Sequence, residues 1–155
     1  LYPGAMAAAM MVLLAQPNGG KVLVWYSIIS FSNDSFAWLV GITLGKRRGI
    51  FLTSPNKSLE GFIAGMVGSV ASSMLGPILF PSIVPRSWFL LALTGVVCGI
   101  AVVAGDLFES ALKRSAKVKD SGNSIPGRGG FLDSFDSIAF AAPVFLVFAV
   151  LLGIV

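Results

Sequence analysis

The chain has 155 residues, of which 55% are hydrophobic and only 12% charged, and its formal net charge is +4. Soluble domains carry about 25% charged residues, so this composition excludes an ordinary soluble domain. In so apolar a chain, a basic charge favours loops held at the cytoplasmic face of a membrane. We therefore expect no nucleic-acid partner.

Five apolar segments follow one another along the chain, covering residues 1–15, 22–45, 59–84, 87–108 and 137–155. At about 1.5 Å per residue, each of the last four is long enough to cross a hydrocarbon core of about 30 Å. Because helices satisfy every backbone group within lipid, we predict an all-α integral membrane protein. This polytopic helical bundle would hold about five transmembrane helices in one membrane-embedded domain, residues 1–155. The chain begins without Met inside an apolar stretch, so further N-terminal helices are expected.

Basic residues concentrate in two loops that alternate with two loops carrying one cation each. The positive-inside rule places both rich loops in the cytoplasm. They hold nine of the eleven cations: Lys46, Arg47, Arg48, Lys57, Lys113, Arg114, Lys117, Lys119 and Arg128.

The second segment contains the polar pair Asn33 and Asp34. Asp34 is about 11 residues from the basic end of the segment, or roughly 17 Å deep by helix rise. A carboxylate at that depth should face a polar cavity or a cation. The alternative is a protonated Asp34 in a hydrogen bond between helices.

The loop after this segment combines cations with a helix start. We interpret Lys46, Arg47 and Arg48 mainly as a topology anchor. Ser58 is placed to cap the third helix, with Glu60 in its first turn. Lys57 would then face the same membrane surface and bind a phosphate, although capping alone accounts for Ser58 equally well.

Small residues recur every four positions in the third and fourth segments. They are Gly61, Gly65 and Ser69, followed by Gly95 and Gly99. This spacing predicts close helix packing rather than chemistry.

The fourth segment ends in a polar face. On a continuing helix, Asp106, Glu109, Ser110 and Lys113 share one side. These acids would hold a metal ion that bridges to a phosphate. An i,i+4 ion pair explains Glu109 and Lys113 well, but it explains Asp106 less well because that residue is still within the apolar run.

Asp133 and Asp136 are three residues apart at the start of the fifth helix, where the helix dipole accounts for either one alone. Together with Asp106, nearby cations and glycines, they indicate Mg²⁺, which prefers oxygen ligands. Histidine is absent, which argues against zinc. The sequence also lacks the P-loop pattern.

Residues 110–136 resemble the signature of the phosphatidate cytidylyltransferases (CDP-diacylglycerol synthases), S-x-x-K-R-x4-K-D-x-G-x-x-I-P-G-H-G-G-x-x-D-R-x-D. The runs N-D-S-F-A-W-L-V-G and S-P-N-K-S-L-E-G resemble upstream motifs of that family. Two positions depart from the signature: Arg128 replaces the usual His, and Ser134 replaces the usual Arg. The matching positions are Ser110, Lys113, Arg114, Lys119, Asp120, Gly122, Ile125, Pro126, Gly127, Gly129, Gly130, Asp133 and Asp136.

The resemblance implies a membrane enzyme that joins CTP to phosphatidic acid, giving CDP-diacylglycerol and pyrophosphate. Its site would face the cytoplasm from a bacterial-type inner or plasma membrane. Mg²⁺ would be held by Asp106 and Asp133, with Asp136 as a third acid. A second metal ion and a homodimer are left open.

The remaining site residues that the resemblance implies fall into two sets. The phosphate-binding set is Lys57, Lys113, Arg114, Lys119, Arg128, Gly129 and Gly130, of which Lys113 and Arg114 also count as catalytic. The cavity set is Asn33, Asp34, Glu109 and Asp120.

Three alternatives remain at this point. The first is a CTP-dependent membrane lipid or polyprenol kinase, which shares the nucleotide. The second is a transporter in which Asp34 is a translocation residue. The third is a non-catalytic relative, suggested by Arg128 and Ser134.

Overall fold

A computed structural model describes residues 2–51, 53–118, 122 and 131–155 of the chain. All the regular elements in these ranges are α-helices, which confirms the all-α prediction for the described residues. The helices are α1 (Tyr2–Leu14), α2 (Gly19–Thr43), α3 (Leu59–Met74), α4 (Gly76–Leu79), α5 (Trp88–Ser115) and α6 (Phe131–Leu151).

The third apolar segment is not one uninterrupted helix over residues 59–84. Instead, α3 ends at Met74 and the single turn of α4 follows. Pro77 has no N–H to donate to the preceding turn, and its ring crowds the carbonyl there. At Gly76 a Cβ would lie 2.7 Å from Nε1 of Trp25, so the glycine also makes room for the indole.

The bundle is organised around α3 and α5, which pack against each other. The other face of α3 packs on α2, whereas α6 packs along α5 and α1 contacts α6. Trp25 and Tyr26 of α2 are buried against Phe145 of α6, with ring centroids 5.3 Å and 4.6 Å from it. The Tyr26 hydroxyl donates a hydrogen bond to the carbonyl of Ile138. These contacts fix α2 against α6.

The predicted close packing at small residues is confirmed. A Cβ on Gly61 would lie 2.6 Å from the carbonyl oxygen of Ala37 in α2. A Cβ on Gly95 would lie 2.5 Å from the Cα of Val70 in α3. Because both obstacles are backbone atoms, any larger residue must push the helices apart.

The outer surface of the bundle is strongly apolar. Phe89 is 77% exposed and Trp38 is 67% exposed. Two helical stretches in the described part of the chain, Leu59–Leu79 and Trp88–Ser115, are long and apolar enough to cross a membrane. Length and composition thus support two of the five expected spans.

We predict that Gly95→Ala destabilises the complete protein by about 1–3 kcal/mol, because the added methyl group overpacks the contact between α3 and α5. Thermal unfolding in detergent micelles measures the effect. Gly20→Ala is the matched control, since Gly20 lies in an open position of α2 where a Cβ would meet nothing within 4 Å. Equal melting temperatures for the two variants would contradict this account of the packing.

Candidate functional site

A cavity of about 790 Å³ lies between α2, the loop that follows it, α5 and the start of α6. Each of these segments contributes charged residues to its lining. The charged residues are Asp34 from α2, Arg48 and Lys57 from the loop, Asp106 from α5 and Asp136 from α6. Apolar and aromatic residues also line it, among them Phe31, Trp38, Phe51, Phe62 and Val103. The fold thus brings together charges that are far apart in the sequence.

Lys57 is the cation at the centre of this set. Its ammonium forms an ion pair with the carboxylate of Asp106, and the two side chains are 32% and 33% exposed. Burial lowers the pKa of Lys57 below its usual value, whereas the negative charges of Asp34 and Asp136 act to raise it. Lys57 therefore interacts with three carboxylates from three different helices.

The carboxylate of Asp136 is held at the cavity by the next residue, Ser137. Its side chain is buried, and Oδ1 accepts hydrogen bonds from the Ser137 backbone N–H at 2.7 Å and the Ser137 hydroxyl at 3.2 Å. Next to it, α5 and α6 approach closely at Gly105, where a Cβ would lie 2.6 Å from the Cβ of Phe140. This close approach brings Asp106 and Asp136 to the same cavity.

Asn33 ties the wall formed by α2 to α3. Its Nδ2 donates to the Ser69 hydroxyl at 2.8 Å, and that hydroxyl donates to the carbonyl of Gly65 at 3.1 Å. The Asn33 side chain is 1% exposed and its Oδ1 has no hydrogen-bond partner in the described part of the chain. This buried bond anchors α2 immediately before Asp34.

The start of α3 is capped as the sequence predicts. The Ser58 hydroxyl accepts a hydrogen bond from the backbone N–H of Gly61 at 3.1 Å. This bond confirms the capping interpretation of Ser58, which also lines the cavity. The cap fixes the end of the loop that carries Lys57.

The sequence interpretation missed Arg48 as a cavity residue, because the run from Lys46 to Arg48 reads as a topology anchor. The structure places Arg48 in the cavity lining beside Lys57. Its local pattern contains no signal that separates it from its two neighbours. Only the folding of the loop distinguishes them.

Three predicted residues lie farther along α5, outside the described lining of the cavity. Glu109 is buried and forms an ion pair with Lys113 at 2.6 Å, whereas Arg114 is exposed. The pair matches the i,i+4 alternative, and its part in a phosphate site stays a prediction. Several other predictions fall outside the described residues, namely Lys119, Asp120, Arg128, Gly129, Gly130 and the side chain of Asp133.

The described side chains include no group of three or more acids, histidines or cysteines arranged to hold a metal ion. Asp106 and Asp136 nevertheless offer carboxylate oxygens to one cavity. Mg²⁺ usually takes one or two protein carboxylates and completes its coordination with water and substrate phosphates. The chemistry of these donors therefore fits Mg²⁺.

Comparison with known proteins gives one consistent family. The chain is 41% identical over 130 residues to the phosphatidate cytidylyltransferase of Bacillus subtilis (strain 168), covering 83% of this chain and 47% of that protein. It is 42% identical over 128 residues to the phosphatidate cytidylyltransferase of Thermotoga maritima, covering 79% and 47%. It is also 39% identical over 145 residues to the uncharacterized protein YnbB of Escherichia coli K12, covering 91% and 47%.

The chain therefore spans about half the length of these curated relatives. The sequence profile of the cytidylyltransferase family matches residues 1–152, almost all of the chain. The identities and the profile agree, and the chain belongs to the cytidylyltransferase family.

Proposed function

We propose that the complete protein transfers the cytidylyl group of CTP to phosphatidic acid, forming CDP-diacylglycerol and releasing pyrophosphate. The observation that carries this proposal is the cavity in which Asp34, Lys57, Asp106 and Asp136 meet. Its charges suit phosphate chemistry, and its apolar walls suit a lipid substrate. The names of the relatives, phosphatidate cytidylyltransferase, support the same reaction.

In this reaction a phosphate oxygen of phosphatidic acid forms a bond to the α-phosphorus of CTP. The bond from that phosphorus to the oxygen bridging to the β-phosphate breaks, and pyrophosphate leaves with the electron pair. Transfers of this kind depend on positioning and on neutralisation of charge more than on covalent catalysis. Both reactants are anions, so the protein must supply cations at the cavity.

Lys57 is the residue best placed to bind a phosphate there, because it lines the cavity and is partly exposed. Binding would replace its ion pair with Asp106. The signature cations would hold the rest of the triphosphate and the lipid phosphate, together with the backbone of two glycines. This set comprises Lys113, Arg114, Lys119, Arg128, Gly129 and Gly130.

Asp106 and Asp133 would hold Mg²⁺, with Asp136 as a third acid. When bound, the ion supplies positive charge to the triphosphate. Asp34, with its carboxylate near Lys57, would keep that ammonium oriented, and Asn33 would keep α2 in place. A second metal ion and a homodimer stay predictions.

We further propose that the bundle lies in a bilayer with the cavity at the cytoplasmic side. The exposed apolar surface and the two long apolar stretches support membrane insertion. The basic residues around the cavity support the orientation. The five-span arrangement, with α1, α2 and α6 also crossing, belongs to the same proposal.

The direct test incubates the complete membrane protein with labelled CTP, phosphatidic acid and Mg²⁺. We expect a labelled CDP-lipid and pyrophosphate in equal amounts. Chelation by EDTA should abolish turnover, and excess Mg²⁺ should restore it. Release of CDP together with a phosphorylated lipid would identify a kinase instead, and no turnover of either kind would favour a non-catalytic relative.

Asp106→Asn should lower kcat by at least about 100-fold, because a neutral amide would hold Mg²⁺ less well and the transferring phosphates would lose its positive charge. Thr43→Ala is the control, since the Thr43 hydroxyl is exposed and donates to the carbonyl of Leu39 in its own helix. Initial rates at saturating substrates measure both variants. Near-normal turnover by Asp106→Asn would refute its assignment as a metal ligand.

The orientation predicts different labelling of two loops by a membrane-impermeant maleimide. Cys98 is buried and is replaced by Ala for this purpose, as is any cysteine elsewhere in the complete protein. Ser82→Cys, in the turn between α4 and α5, should react in intact cells. Ser54→Cys, in the loop between α2 and α3, should react only after the cells are opened. The reverse pattern would contradict the cytoplasmic location of the cavity.

A further inference from the structure

The loop between α2 and α3, residues 45–58, folds back on itself; we call it the basic loop. Arg48 and Ser58 form an isolated antiparallel bridge. Beside the bridge, the backbone N–H of Gly49 donates to the carbonyl of Pro55 at 3.0 Å. These bonds join residues 48 and 49 to residues 58 and 55, so that the two basic parts of the loop lie side by side.

The basic loop is also attached to α3. The ring of Phe51 lies across that of Phe62, with centroids 6.0 Å apart. The backbone N–H of Leu59 donates to the carbonyl of Arg47 at 2.9 Å. The described part of the basic loop therefore has a defined conformation rather than being a free tether.

Glu60 contributes the other attachment. Its carboxylate accepts hydrogen bonds from the backbone N–H of Lys46 at 3.1 Å and of Arg47 at 3.2 Å. Glu60 thus binds the peptide group before Arg47, and Leu59 binds the peptide group after it. Glu60 does not line the cavity itself, and its own position is set by the capped first turn of α3.

Arg48, the next residue, is directed into the cavity by this anchoring. Its guanidinium donates to the carbonyl of Asn56 at 3.3 Å and to the carbonyl of Gly41 at 3.2 Å. These two bonds use two of the five N–H donors of the guanidinium, and among the described residues the other three are left for a ligand. Lys46 and Arg47 carry the same charge on the same loop, but neither is among the residues that line the cavity.

We propose that Arg48 binds a substrate phosphate alongside Lys57 and that Glu60 is the positioning residue for Arg48. The inference rests on the proposed function, since it requires a phosphate-bearing substrate in the cavity. A planar guanidinium pairs with phosphate through two parallel hydrogen bonds, which a single ammonium cannot do. Glu60 keeps the guanidinium of Arg48 in place without touching the substrate. The phosphate belongs either to CTP or to phosphatidic acid.

The experiment is a double-mutant cycle in the complete protein, with Arg48→Met, Glu60→Ala and the double variant. KM is measured for CTP at saturating phosphatidic acid and for phosphatidic acid at saturating CTP. Arg48→Met should raise one KM by about tenfold or more, as expected for loss of a charge-assisted hydrogen bond, with little change in kcat. The KM that rises identifies which substrate provides the phosphate.

If Glu60 acts through Arg48, Glu60→Ala should raise the same KM, and the double variant should match Arg48→Met alone. Glu60→Gln keeps one carbonyl acceptor and should retain part of the affinity. Lys46→Met is the matched control, because it removes a positive charge from the same loop and should change neither KM by more than about twofold.

A second measurement separates positioning from general stability. In hydrogen exchange, the amides of Lys46 and Arg47 should exchange faster in Glu60→Ala but not in Arg48→Met. Additive effects of Glu60→Ala and Arg48→Met on KM, or a lower melting temperature with unchanged KM, would overturn the inference. An inactive wild-type protein would instead count against the proposed function itself.

Discussion

The close contact between α2 and α3 is the constraint on which the site depends. A Cβ on Gly65 would lie 2.9 Å from the backbone oxygen of Asn33, and Gly61 meets Ala37 in the same way. These glycines therefore set the distance between the two helices. Asp34 follows Asn33 on α2, whereas Lys57 lies just before α3 begins. The spacing of the helices thus also sets the spacing between an acid and a cation, so residues with no chemistry of their own determine the geometry of the charged groups.

The charges around Lys57 compensate one another. An isolated ammonium or carboxylate removed from water costs several kcal/mol, and an ion pair offsets much of that cost. Lys57 and Asp106 satisfy each other in this way, with Asp34 and Asp136 nearby. In the proposed reaction each member of the pair gains a different partner: a phosphate for Lys57 and Mg²⁺ for Asp106. Substrate and metal would then bind together, because either one alone would leave an opposite charge without its partner.

The sequence predicts the helical class and most charged residues of the described cavity, since a charge inside an apolar run has few explanations. Asp34 and Asp106 are found in this way. The break at Gly76 was also visible in principle, because a Gly-Pro pair commonly ends a helix. Arg48 was not predictable from its local pattern. Its position depends on backbone bonds made by Glu60, a residue that on its own reads only as a favourable acid at a helix start.

Asp106 and Asp136 come together because α5 and α6 pack against each other. Asp106 lies about two turns before the end of α5, and Asp136 lies in the second turn of α6. Gly105 lies against the backbone of Ser137, and each is the chain neighbour of one of the two acids. This contact places the two acids at the same height along the packed helices. In this arrangement two acids from different helices, far apart in the sequence, line the same cavity as Lys57.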